Sequence, residues 1–385
     1  MTRVYFDYNA TTPVEPAVMQ ALLPYFGPQF GNASSTYALG QTAKKAVEMA
    51  RTQVASMLGA SDSNEIVFFS GGTESIIYAI KGSALAAKRT SGRNHIVTSS
   101  VEHVAVLETC KWLETQGFQV TYLPVNNFGC VRVQDVLDAL TVQTCLVSIM
   151  LANNEVGSLQ PVAAIFRAVR QFVEDEENRL PIVVHTDASQ AIGKVRVNVV
   201  ELDVDLVTMA GHKFYAPKGV GALYVRKSMV LDTIIHGASQ ENGRRGGTEN
   251  VGLVAALGQA CALVEKNLHD YQVNGHPELS LPNTLSISFE NIDATRLLDL
   301  IEADGVYASA GSACHSHKQD RTTEQEKNLD RDGKHITTIS HVLAAMHVAP
   351  EFAKGTLRLS VGRSTTQEEV LHAANAIHKA IQQLL

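Results

Sequence analysis

From about Pro16 to Arg226, short runs of apolar and β-branched residues alternate with longer stretches whose apolar positions recur every three or four residues. The short runs predict strands over Glu65–Phe69, His95–Thr98, Gln119–Leu123, Cys145–Met150, Pro181–His185, Asp205–Thr208 and Ala222–Val225. The longer stretches predict helices, among them Gly40–Met57, Thr73–Lys88 and Val162–Glu174. Strands alternating with helices argue for an α/β fold built on a mostly parallel, doubly wound sheet. The last of the seven strands follows Lys213 after a short turn, which suits an antiparallel neighbour.

Past Asn250 the pattern changes. A helix over Val251–His269 leads to a strand at Asn283–Phe289, a helix at Ala294–Ala303 and a strand at Val306–Ala308. A helix at Thr338–His347, a strand at Thr356–Val361 and a helix at Thr366–Leu384 follow. This reads as a smaller α+β domain, dividing the chain into 14–250 and 251–385, with 1–13 joining the smaller part. Within the smaller domain, 318–335 carries five positive and five negative residues in eighteen and almost nothing apolar, so it is expected to be a surface loop.

Composition narrows the class. Of the 385 residues, 45% are hydrophobic and 18% charged, as in a folded globular chain with room for two domains. A net charge of −7 gives no basic footprint for nucleic acid. No apolar stretch approaches the roughly 20 residues that span a bilayer. The first residues carry no leader pattern, so a cytosolic enzyme is expected. The five cysteines form no C-x-x-C pair, which argues against a disulfide framework or structural zinc. Cys110, Cys145 and Cys261 sit in apolar contexts and are expected to pack as small hydrophobes.

Chemistry gathers where predicted strands end. His185-Thr186-Asp187 and Gly211-His212-Lys213 place an acid and a lysine at two neighbouring carboxyl ends, where parallel sheets bind ligands. That pair suits pyridoxal phosphate: the lysine forms a Schiff base and the aspartate keeps the pyridine nitrogen protonated. A buried Asp–Lys ion pair has the same spacing. Ser70-Gly71-Gly72-Thr73-Glu74-Ser75 opens a helix and can cradle a phosphate, though a plain turn with a Thr cap fits too. His103 follows another strand and can lie over a ring or simply be hydrogen-bonded. Asn154, in an Asn-Asn-Glu-Val-Gly turn, and Gln190 can each donate an amide to a ring oxygen. Arg358, central in an alternating strand, needs a carboxylate, either a substrate's or a structural partner's. Cys314, among small polar residues and beside His315 and His317, is placed for a reactive thiol.

Together these stretches resemble the class-V-aminotransferase-type pyridoxal phosphate enzymes, in the cysteine desulfurase and selenocysteine lyase family. Asp7–Pro13, Ser70–Ser75, Glu102-His103, Asn153–Gly157, His185–Gln190, Gly211–Lys213, Gly247–Asn250, Ser312–Cys314 and Arg358–Thr365 carry the likeness over nearly the whole chain. The resemblance implies a fold-type I enzyme with Lys213 as Schiff-base lysine, Asp187 on the pyridine nitrogen and His103 stacked on the ring. It further implies Asn154 and Gln190 on cofactor or substrate, Thr73 and His212 on the phosphate, and Arg358 on the substrate carboxylate. Cys314 is the implied thiol, and Thr248 is implied to reach the phosphate bound by the partner subunit of a homodimer. A selenium or sulfur acceptor protein is a further implied partner.

Within that family, Gly211-His212-Lys213-Phe214-Tyr215, Cys314-His315-Ser316 and Leu359–Thr366 resemble the selenocysteine lyase branch. Ala210 stands where bacterial desulfurases usually carry a phosphate-binding serine. The expectation is therefore a lyase that converts L-selenocysteine to L-alanine and selenide. Its alternatives are a cysteine desulfurase forming a persulfide on Cys314 and an inactive pyridoxal phosphate-binding scaffold. Two departures stand out: Val104 replaces the acid or lysine that usually follows Glu-His, and the chain is short of the family by roughly 20 residues between Leu268 and Val273.

Overall fold

A computed structural model describes residues 3–175, 180–268, 280–311 and 339–385. Cys314, the charged stretch 318–335 and the shortened segment past Leu268 lie outside the described residues.

Eleven strands are present among them: β1 (Val4–Tyr5), β2 (Ile66–Phe69), β3 (His95–Ser99), β4 (Gln119–Leu123), β5 (Thr144–Ser148), β6 (Val183–Asp187), β7 (Leu206–Ala210), β8 (Gly221–Val225), β9 (Thr284–Ser288), β10 (Val306–Tyr307) and β11 (Thr356–Ser360). Seven form one sheet in the order β2-β8-β7-β6-β5-β3-β4. All its neighbours are parallel except those of β8, which runs against both β7 and β2. Two reversals through β8 return β2 to the direction of β7. The carboxyl ends of β2, β3, β5, β6 and β7 therefore open on one edge.

Helices bury one stripe each against this sheet. Val162–Glu174 turns Val162, Ile165, Phe166 and Val169 inward, the i, i+3, i+4, i+7 pattern that the sequence displays. Ala38–Leu58 buries Val47, Val54 and Leu58 and ends at Gly59, whose φ of 67° is the left-handed stop that glycine adopts without steric cost. Each such aliphatic side chain contributes roughly 1.5–3 kcal/mol of burial.

Helix Val251–Leu268, which sequence reading assigned to the smaller unit, packs in the large core. Leu257, Ala260, Cys261 and Val264 join the same buried cluster as Val47 and Val54. Its Gly258 lies so close to Ala50 that a Cβ there would fall 2.5 Å from the Ala50 Cα. The second core begins after it: Val4, Phe6, Ile292, Leu297, Ile301, Val306, Leu357, Ala373 and Ala376 pack together, with β1 parallel to β10 and β11 antiparallel to β9. Among the described residues β9 pairs only with β11, and Leu285 and Ile287 stay exposed although their register partners are Leu359 and Leu357. Among the described residues no helix is long and apolar enough to cross a membrane.

Candidate active site

Five strand ends build one cleft. Asp187 closes β6; it is 6% exposed, and Ser189 N donates to its Oδ1 at 2.9 Å. β7 runs into the 3-10 turn Gly211–Lys213, which presents Lys213 next to it. Beyond β3, His103 caps helix Val104–Thr115 by accepting from Ala105 N on Nδ1 at 3.1 Å, which leaves the ring proton on Nε2. Beyond β5, Asn153 Oδ1 accepts from Glu155 N and Val156 N, so this asparagine makes the turn while Asn154 faces the cleft. Beyond β2, helix Gly72–Ser91 starts at Gly71 with no side-chain cap. Its first-turn amides are thus available to an anion. Gly72 packs closely here, where a Cβ would fall 3.0 Å from that of Ala210.

Thr73, His103, Asn154, Asp187, Gln190, His212, Lys213 and Arg358 all line this cleft of about 190 Å³. Lys213 Nζ donates to the main-chain oxygens of Asn9 (2.6 Å) and Ala10 (2.9 Å). Burial first, then the cations Lys213 and Lys218, push the His212 imidazole down to about 4, so it is neutral near pH 7. Its Nδ1 meets Thr11 Oγ1 at 3.2 Å. Arg358 is almost fully buried; it donates to Asp7 Oδ1 at 2.5 Å and to Asn154 O at 3.0 Å. The structural ion pair is therefore real, yet the buried Arg358 Nε has no partner. An orphaned guanidinium N–H at the wall of a cleft fits a ligand carboxylate.

The residues fit pyridoxal phosphate. An uncapped helix start offers amides to the phosphate, a buried carboxylate waits for a ring N–H, and an amine stands beside it. Thr248 is not brought to this cleft. It is exposed and lines another one with Ser70, Gly219 and Arg245. Cys314 lies three positions beyond Gly311, which sits against the Glu155 carboxylate, and Ser340, beyond the undescribed stretch, donates to the same carboxylate. Sequence reasoning missed three groups. Asp7 is the Arg358 partner, Asn9 bridges both cores, and Lys194 donates to Gln190 Oε1 at 2.6 Å. The Gln190-to-Lys194 spacing of i, i+4 was the one visible signal.

Known proteins share this arrangement of sequence. The family profile described as Aminotransferase class-V matches residues 4–372. Cysteine desulfurase IscS of Methanosarcina thermophila is 43% identical across 99% of this chain and 92% of its own length. A solved NifS-like protein superposes with a TM-score of 0.86 at 34% identity, covering 100% of both chains. SspA, solved in complex with cysteine, gives 0.77 at 34% identity over 93% of this chain and 98% of its own. These findings overturn the expected selenocysteine lyase, since the named activity of the similar enzymes is cysteine desulfurization. Of the residues behind that expectation, Ala210 packs against Gly72 at the cleft wall and Phe214 is 2% exposed in the large core.

Proposed function

Because the chain belongs to the class-V aminotransferase family, we propose that it is a pyridoxal phosphate-dependent cysteine desulfurase acting on L-cysteine. The observation that carries this reading is the convergence of Lys213, Asp187, His103 and Arg358 on one cleft in a chain this similar to such enzymes.

When bound, pyridoxal phosphate supplies an electron sink conjugated to the substrate α-carbon. Thr73 and the first-turn amides of helix Gly72–Ser91 bind its phosphate, with the neutral His212 alongside. Asp187 holds a proton on the ring nitrogen, its own orientation set by Ser189 N. His103, oriented by the cap to Ala105 N, would lie against the cofactor ring. Arg358 binds the substrate carboxylate, assisted by Asn154, and so orients the α-carbon toward Lys213. Lys213 Nζ would hold the cofactor and serve as the base that moves the substrate α-proton.

Cys314 receives the sulfur. The substrate C–S bond breaks and an S–S bond forms on Cys314; carbon is reduced to the alanine methyl while the thiol sulfur is oxidised to persulfide. The thiol proton lost on one side balances the methyl proton gained on the other, so no outside oxidant is needed. Among the described residues the other cysteines are unpaired, and Cys110, Cys145 and Cys261 are buried. Burial pushes the Cys110 thiol up to about 12, far from thiolate reactivity. Free thiols accord with a reducing cytosol.

The exposed Thr248 supports a homodimer in which it reaches the phosphate bound by the partner subunit; sedimentation of the purified enzyme tests this. Alanine release from L-cysteine, with Lys213→Ala as control, tests the activity. Pyruvate and ammonia instead of alanine would contradict it.

A further inference from the structure

A second lysine stands behind the site. Lys194 Nζ donates to Gln190 Oε1 at 2.6 Å and to Asn9 Oδ1 at 2.8 Å. Gln190 Nε2 in turn donates to Asn9 O at 3.0 Å, and that same oxygen accepts from Lys213 Nζ at 2.6 Å. Asn9 thus joins the two lysines, one through its main chain and one through its side chain.

The two ends of a glutamine amide have nearly the same shape, so hydrogen bonding alone decides which way it points. A lysine ammonium has donors and no acceptor. The Gln190 atom facing Lys194 must therefore be oxygen, and the NH2 group must face Asn9 O and the cleft that Gln190 lines. We propose that Lys194 is a positioning residue whose hydrogen bond holds the Gln190 amide with its N–H toward the cofactor. The proposal rests on the pyridoxal phosphate reading above. Without Lys194 only the Nε2 bond to Asn9 O resists turnover of the amide, which would present an acceptor to the cleft and leave Asn9 O one donor short. Burial, then the charges of Lys213 and Arg358, push the Lys194 ammonium well below its ordinary range.

The test uses the cofactor-loaded enzyme and the pH midpoint of its visible absorption change. The charged and titratable groups facing the cleft are His103, Asp187, His212, Lys213 and Arg358, with Asp7 behind Arg358, and none of them is altered. An N–H aimed at a ring oxygen favours its unprotonated form. Lys194→Met should therefore raise the midpoint by about one pH unit. Gln190→Leu should raise it as much, and the double variant should add nothing further. Lys194→Arg keeps a donor and the wild-type midpoint. If Lys194→Met does not retain cofactor, Lys194→Gln against Lys194→Arg carries the same comparison. An unchanged midpoint in the variant lacking a cationic donor, or additive shifts in the double variant, overturns the proposal. A wild-type protein with no Lys213-dependent visible band overturns the functional reading with it.

Discussion

The edge of the large sheet and the β9–β11 pair face each other across the cleft, and they hold their groups by different means. On the sheet edge, Asp187 is fixed by Ser189 N and His103 by Ala105 N, each two residues away. On the β11 side, Arg358 is fixed by Asp7 and by Asn154 O, respectively 351 and 204 positions distant. Asp187 and His103 are thus set by local backbone, whereas Arg358, like Lys213 on Asn9 O, depends on how distant segments meet. Asn9 ties that meeting together: its side chain donates to Thr284 on β9, and its main chain accepts from Lys213.

Removing the chemistry from the sheet edge should have the largest effect. Lys213→Ala is expected to lower alanine formation from L-cysteine by more than about 1,000-fold, with the fold retained by circular dichroism. Next comes the core under β11. Leu357 is fully buried, so Leu357→Ala should cost about 2–5 kcal/mol in urea unfolding, far more than the activity of any folded fraction would reveal. Arg358→Lys keeps the charge beside Asp7 and loses the planar fork. It should raise KM for L-cysteine about 10- to 100-fold with cofactor content unchanged. A loss of cofactor instead would mean that the two sides are not separable.

Glu102, next to His103, offers a pH probe of the sheet edge. Burial pushes its carboxyl up to about 8, and its Oε2 is buried without a partner. The folded protein then holds a proton that the unfolded chain releases near pH 4.5. The stability of that protonated form is full below the unfolded value and falls as pH rises toward 8. Glu102→Gln should flatten this loss, gaining on the order of 2 kcal/mol over wild type at pH 8 and little at pH 5. The smallest effect belongs to the open strand: Leu285→Ser, at an exposed position of β9, should change stability by no more than about 0.5 kcal/mol.

Much of the sheet was legible because buried strands and one-sided helices write a plain pattern. Gln119–Leu123 and Val162–Glu174 fall where the pattern predicts them, and β8 is antiparallel as its short connection requires. Asp187, Lys213, His103 and Thr73 were legible for a related reason: each follows a strand by a few residues, so one-dimensional spacing fixes its edge. Helix Val251–Leu268 was misplaced because an apolar helix does not announce which core it will join; its fit depends on Gly258 meeting Ala50. Asp7 and Asn9 carried no visible role, since their partners come from distant segments. The lean toward selenium rested on Gly211–Tyr215, Cys314–Ser316, Leu359–Thr366 and Ala210, and the burial of Ala210 and Phe214 does not separate sulfur from selenium.

We propose that sulfur from L-cysteine moves to Cys314 as alanine forms. A single turnover with L-[34S]cysteine, followed by mass spectrometry of the protein and quantification of alanine, addresses it directly. One labelled sulfur on Cys314 is expected for each alanine released, and neither product in Lys213→Ala. Alanine released while Cys314 stays unlabelled, or label on Cys314 without alanine, would contradict it.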